Sequence, residues 1–220
     1  YGALGDIELH LRNASTALEQ YDIANQLYEE WYQSNREDPD AQSSIATSFY
    51  RLGAANVFLG QDTAKKFFEQ SLRLREQFVA ADPKNTSKQI ALMLAQARCG
   101  RHADASLVAN QIRESSSKDR GNLFYVGCCY ALCVADVAQG KAKDQLTAAE
   151  LALQEQYATT AIEAIRQAIA LGYNVTLERA EKTHALIAME QTEVKRRLGF
   201  DAIMPFWYAM WQSKGKTLGD

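Results

Sequence analysis

The chain has 220 residues, with 24 Lys and Arg against 27 Asp and Glu, a net charge of −3 and 47% hydrophobic residues. That length suits one compact domain or one short solenoid with a substantial core. The slight acidity supplies no drive toward nucleic acid or anionic lipid, which need clustered cations, and pairs such as Lys65-Lys66 or the run Lys195-Arg196-Arg197 read as solvated helix faces.

Three prolines, Pro39, Pro83 and Pro205, punctuate a chain otherwise rich in Ala, Leu, Gln, Glu and Arg. Those are strong helix formers. Proline pushes the residue before it out of the helical region, so Asp38-Pro39 and Asp82-Pro83 each mark a helix end. The first helix is predicted over Tyr1 to Arg12 and the second from about Thr16 to Arg36. A third runs from Ala41 to Leu59, and Gly60-Gln61-Asp62 turns the chain, with Asp62 as the expected cap of a fourth over Thr63 to Ala81. Asn85-Thr86-Ser87 caps a fifth, which ends at Cys99-Gly100, where glycine suits a left-handed C-terminal position. The sixth spans Ala103 to Ser115, and Ser115-Ser116-Ser117 reads as a connector. The seventh spans Asn122 to Ala138, and after the polar turn 139–143 an eighth, long helix reaches Leu171 and stops at Gly172. Two more are expected around Leu177 to Leu198 and Ala202 to Gln212.

Short links force consecutive helices to pack antiparallel. The fourth helix carries one apolar stripe in Phe67, Leu74 and Phe78 and another in Phe68, Leu72 and Val79. Two stripes mean neighbours on two sides, as in stacked hairpins.

Little in the sequence carries chemistry. Cys99, Cys128, Cys129 and Cys133 lack metal-site or disulfide spacing and read as buried thiols of a reducing, cytoplasmic compartment. Catalysis by the thiols would need an adjacent histidine, and His10, His102 and His184 fall on separate helices. Glu29-Glu30 are helix neighbours and not a facing acid–base pair. No cofactor or metal is expected, and no uncharged run is long enough to predict a membrane span. The opening Tyr1-Gly2-Ala3-Leu4-Gly5 reads like the middle of a helix, which suggests a portion of something longer.

The helices repeat. Leu4-Gly5 recurs as Leu52-Gly53, Ala17 with Tyr21 as Ala64 with Phe68, and Asp38-Pro39 as Asp82-Pro83. A weaker copy turns at Gly100-Arg101-His102-Ala103-Asp104-Ala105. A further one begins at Leu123, includes Gly127 and Tyr130, and has Ala161, Ile165 and Ala168 in its second helix. The series Phe49, Leu52, Gly53, Gly60, Ala64, Phe68, Ser71 and Pro83 resembles the tetratricopeptide (TPR) repeat, with small residues where helices touch and large ones beside them. Departures are Asn56 in an aromatic position, a turn one residue short between Gly60 and Ala64, and overlong second helices. More narrowly, Leu4-Gly5-Asp6, Ser71-Leu72-Arg73-Leu74-Arg75 and Ala81-Asp82-Pro83-Lys84-Asn85 are similar to the C-terminal TPR region of planctomycete-type bacterial serine/threonine protein kinases. So are Tyr125-Val126-Gly127-Cys128-Cys129-Tyr130 and Ala168-Ile169-Ala170-Leu171-Gly172-Tyr173. The chain itself holds no Gly-rich loop, His-Arg-Asp or Asp-Phe-Gly motif.

The resemblance implies an all-α, right-handed TPR-like superhelix. Repeats are expected at about 1–39, 40–85, 86–118 and 119–173, and capping helices with a tail at 174–220. It implies a scaffold that is not an enzyme and that holds a protein or peptide in a concave groove. By register the groove is lined by Asp6, Leu9, Tyr50, Ala54, Val57, Leu94, Phe124, Cys128 and Ala131. Some members grip a partner's C-terminal carboxylate with Lys, Asn and Arg at those places. That set is missing here, so an extended or helical apolar segment suits better. The aromatic stretch from Phe200 to Trp211 is expected to cap the solenoid end, with docking of a second copy as a homodimer the alternative. The corresponding second function is a regulatory or self-association segment of a larger kinase.

Overall fold

A computed structural model describes residues 1–11, 13–138 and 141–173. Among the described residues the regular elements are eight α-helices and one 3₁₀ turn, with no strand, as an all-α chain requires. The two helices and the aromatic stretch expected beyond residue 173 lie outside the described residues. The chain divides into two compact units, Tyr1–Cys99 and a second beginning at Gly100. That boundary falls at the turn expected inside the third repeat.

The first unit holds α1 (Gly2–His10), α2 (Ala14–Ser34), α3 (Pro39–Phe58), α4 (Ala64–Ala81) and α5 (Thr86–Arg98). Each helix packs against the next one in the chain. Pro39 opens α3 and does not merely end α2; an N–H is dispensable in the first turn. The carboxylate of Asp38 caps that turn by accepting from the N–H of Asp40 at 2.9 Å. Asn85 caps α5 in the expected way, accepting from the N–H of Lys88 at 3.1 Å. The cap expected at Asp62 is not made: α4 starts at Ala64, and Thr63 in the cap position makes no side-chain cap bond. Instead its hydroxyl donates to Oδ1 of Asn56 at 2.6 Å, while Nδ2 of Asn56 donates to the carbonyl of Leu52 at 2.7 Å. Asn56 is buried where the repeat pattern wants an aromatic, and both ends of its amide are satisfied, as burial demands.

The second unit holds α6 (His102–Ser115), α7 (Arg120–Ala138) and α8 (Ala148–Ala170), with the 3₁₀ turn Lys143–Gln145 before α8. The helix α7 packs on both α6 and α8. Its length and composition would allow it to cross a membrane, and 67% of that stretch is buried inside the protein. The start of α8 is fixed by Thr147 and Glu150, whose side chains cap each other's backbone N–H groups. The far end is tied back to α7: Arg120 donates to the carbonyl of Gly172 at 3.1 Å, and Phe124 stacks on Tyr173 at 4.4 Å between centroids.

One packing device recurs. The trios Ala17-Tyr21-Ala24, Ala64-Phe68-Ser71 and Ala161-Ile165-Ala168 are all buried, with identical spacing, on α2, α4 and α8. The large member of each lies over a glycine of the preceding helix. A Cβ placed on Gly5 would meet Tyr21 Cε1 at 2.4 Å, on Gly53 Phe68 Cδ1 at 2.7 Å, and on Gly127 Ile165 Cγ1 at 2.4 Å. Glycine removes the atom that would hold the helices apart, and the bulky neighbour fills the space.

Candidate interaction surfaces

The nine expected lining residues divide by burial. In the first unit Val57 is 42% exposed and Leu94 is half-buried against the Tyr50, Ala64 and Phe68 cluster. Leu9 and Ala54 are buried, and so is Tyr50, whose ring meets Phe68 edge-on at 5.3 Å. Asp6 is buried too, and there it accepts from the hydroxyl of Tyr21 at 2.8 Å and pairs with the guanidinium of Arg51. This brace joins α1, α2 and α3, and burial together with the Asp6 charge pushes the Tyr21 hydroxyl well above its ordinary range. In the second unit Phe124, Cys128 and Ala131 are at most 1% exposed. Seven of the nine are thus packed inside their units, and the accessible ones are Val57 and Leu94.

Apolar surface is open elsewhere. On α1, Leu4 and Ile7 are exposed, as is Leu11 just after it, with Leu4 at 53%. On α2, Ile23, Leu27 and Trp31 follow one another at four-residue spacing, so they form one stripe, with Leu27 at 51%. The buried Ala17, Tyr21 and Ala24 point a quarter-turn away, toward the neighbouring helices. The sequence around the stripe is rich in carboxylates: with Asp6 spent on Arg51, residues 1–35 still contain Glu8, Glu19, Asp22, Glu29 and Glu30 against one arginine, Arg12. Partial burial raises Asp22 above the usual carboxylate range, as expected of an acid with no cation beside it. The signal was present in the sequence as the apolar series Ile23, Leu27, Trp31, but helical periodicity alone does not say which stripe finds a neighbour.

The thiols of Cys129 and Cys133 face the backbone carbonyls of Ala105 and His102, each at 3.8 Å. The ring of His102 is directed at Tyr157, with Nδ1 3.2 Å from the hydroxyl. The imidazole and the thiols therefore spend their hydrogen bonds on other groups. Burial raises Cys128 far above the usual thiol range; the thiol of Cys133 and burial do the same to Cys129. Such thiols stay protonated and unreactive. Among the described residues no group of three or more His, Cys, Asp or Glu is placed to hold a metal ion. No protein-family model, curated protein or solved structure matches the chain.

Proposed function

We propose that the chain is a protein-interaction module of TPR type, in which helical hairpins present a surface to a partner protein or peptide. The glycine-and-bulky-residue pairs of α1–α2, α3–α4 and α7–α8 support the repeat reading. The observation that carries the binding role is the exposed apolar stripe of Ile23, Leu27 and Trp31 in an acidic surround. Exposed apolar surface with a charged rim is the usual form of a protein-docking site. The partner is accordingly an amphipathic segment with an apolar face and flanking Lys or Arg. Its capture is tested with the native chain and with Leu27→Asp, which is exposed and leaves the helix intact. A partner taken from lysate, purified, and bound by the native chain but at least about tenfold more weakly by Leu27→Asp supports the reading. Equal binding by both would sink it.

A second reading, self-association, is favoured by the sequence itself. Lys195-Arg196-Arg197 followed by Phe200, Phe206, Trp207 and Trp211 has the basic and apolar character that the α2 stripe would accept. Light scattering across a concentration series decides this: a mass that grows with concentration and falls with added salt supports it, and a constant monomer mass removes it.

A further inference from the structure

Arg75, on α4, is 9% exposed. Its Nε donates to the hydroxyl of Ser71 at 2.9 Å, and that hydroxyl in turn donates to the carbonyl of Ala46 at 2.7 Å. The guanidinium carbon lies 5.4 Å from the centroid of the Tyr50 ring. The stem and Nε of the side chain are therefore locked. Among the described residues its two terminal nitrogens have no hydrogen-bond partner, and no carboxylate pairs with it. Burial pulls the group down to about 10, and the neighbouring Tyr50 works in part against that. The terminal nitrogens are not among the buried polar atoms left without a partner, so their donors are open to the cleft.

The guanidinium forms part of the wall of a cleft bounded by α3, α4 and the first turn of α5. The cleft has a volume of about 100 Å³. Ala46, Phe78 and Ala91 supply apolar wall, and Ser43 and Thr47 supply hydroxyls. Lys88 stands on the same wall, with its ammonium 3.5 Å from the half-exposed carboxylate of Asp82. The field inside is positive, from Arg75 and from the N-terminus of α5. A forked donor with unused N–H groups matches a planar carboxylate, and the apolar wall matches a short hydrocarbon stem.

We propose that this cleft is a binding site for a short aliphatic carboxylate, which pairs with the terminal nitrogens of Arg75 and lays its stem against Ala46, Phe78 and Ala91. The site is built on α3, α4 and α5, shares the Tyr50 ring beneath Arg75 with the expected lining positions, and includes no residue of the α2 stripe, so its failure leaves the stripe reading untouched. The ligand is a free acid or the terminal residue of a partner peptide. Both sources are tested by titrating the ¹⁵N-labelled chain with butyrate, with acetyl-Gly-Val as the free acid, and with acetyl-Gly-Val carboxamide, while following the Nε–H resonance of Arg75. Saturable shifts with either acid, with Kd of about millimolar for so few atoms, and none with the carboxamide support the site. Response to butyrate assigns a free acid, and response to the peptide acid alone assigns a partner terminus. Followed through the backbone amide resonances of Ser43, Thr47 and Ala91, which line the cleft, Arg75→Lys keeps a cation but loses the fork and weakens binding at least about tenfold. Ala91→Leu fills the cleft while keeping Arg75, and abolishes binding in a chain whose spectrum shows it folded. No saturable shift with either acid, or an equal shift with the carboxamide, overturns the proposal.

Discussion

Gly127→Ala is the most direct test of the packing device. Alanine is favoured over glycine inside a helix by about 1 kcal/mol, so an isolated α7 would be stabilised. In the folded unit the new methyl would lie 2.4 Å from Cγ1 of Ile165 and 3.0 Å from the carbonyl oxygen of Ala161. The carbonyl belongs to the backbone of α8 and has no rotamer in which to escape. Overpacking of this kind costs about 1–3 kcal/mol, and two simultaneous clashes place the cost at the upper end. The net expectation is a loss of about 1–2 kcal/mol, which at an m-value near 2 kcal/mol/M lowers the urea midpoint by about 0.5–1 M. The assay is urea unfolding followed by far-UV circular dichroism. Ile165→Ala alone leaves a cavity and costs about 2–5 kcal/mol. The double variant Gly127→Ala with Ile165→Ala returns a methyl to the vacated space, so it is less damaging than the sum by about 0.5–3 kcal/mol. A Gly127→Ala chain as stable as the native one, or strict additivity in the cycle, would refute close helix contact at this glycine.

Three further outcomes are expected. Phe124→Ala costs about 3–5 kcal/mol in the same assay, because the ring is buried and stacked on Tyr173, whereas Val57→Asp, on an exposed side chain, unfolds within about 0.5 kcal/mol of the native chain. Thr147→Ala removes the hydroxyl that caps α8 and costs about 1 kcal/mol. The partner in that cap, Glu150, is held down to about 2 by its bond to the Lys141 ammonium and by the N–H and hydroxyl of Thr147. A depressed carboxylate contributes its stability above the ordinary glutamate range and loses it as the pH falls toward 2, so an NMR titration should show the first turn of α8 loosening only below about pH 4. In thiol titration of the native chain, half-buried Cys99 reacts first, and Cys128, Cys129 and Cys133 react only on unfolding; a second rapid equivalent would revive a reactive-thiol role.

Much of the helical layout is legible because its signals are local. Asn85 caps within three residues of itself, the positive φ of Gly60, Gly100 and Gly172 ends α3, α5 and α8, and the trio Ala161, Ile165, Ala168 announces its own tight face. The errors also have local causes. The boundary at Asp38-Pro39 falls where expected, but α3 starts at Pro39 itself and not at Ala41, because proline is well suited to the first helical position. Asp62 looked like a better cap than Thr63, but the hydroxyl of Thr63 was already committed to Asn56, seven residues earlier on another helix. The turn expected at 139–143 is followed by a 3₁₀ turn at Lys143–Gln145, and the start of α8 at Ala148 is set by the reciprocal bonds of Thr147 and Glu150.

The candidate sites were far less legible, and two arginines, half-buried Arg51 and buried Arg75, show why. Arg51 follows Tyr50 and precedes Leu52; Arg75 follows Leu74 and precedes Glu76, and both stand within long helices. Neither local context says that Arg51 finds Asp6, 45 residues away, and becomes a brace between hairpins. Neither says that Arg75 finds Ser71 and the face of Tyr50 but no acid. The repeat register places Asp6 on the helix face expected to line the groove, and register says nothing about which partners reach that face. Asp6 is buried because a cation and a hydroxyl arrive from α3 and α2. The same logic runs in reverse for Arg75, where the missing counter-charge is a property of everything that surrounds the side chain. Long-range pairing therefore decides which charged residue is structural and which is open to a ligand, and a pattern confined to one helix does not contain that information.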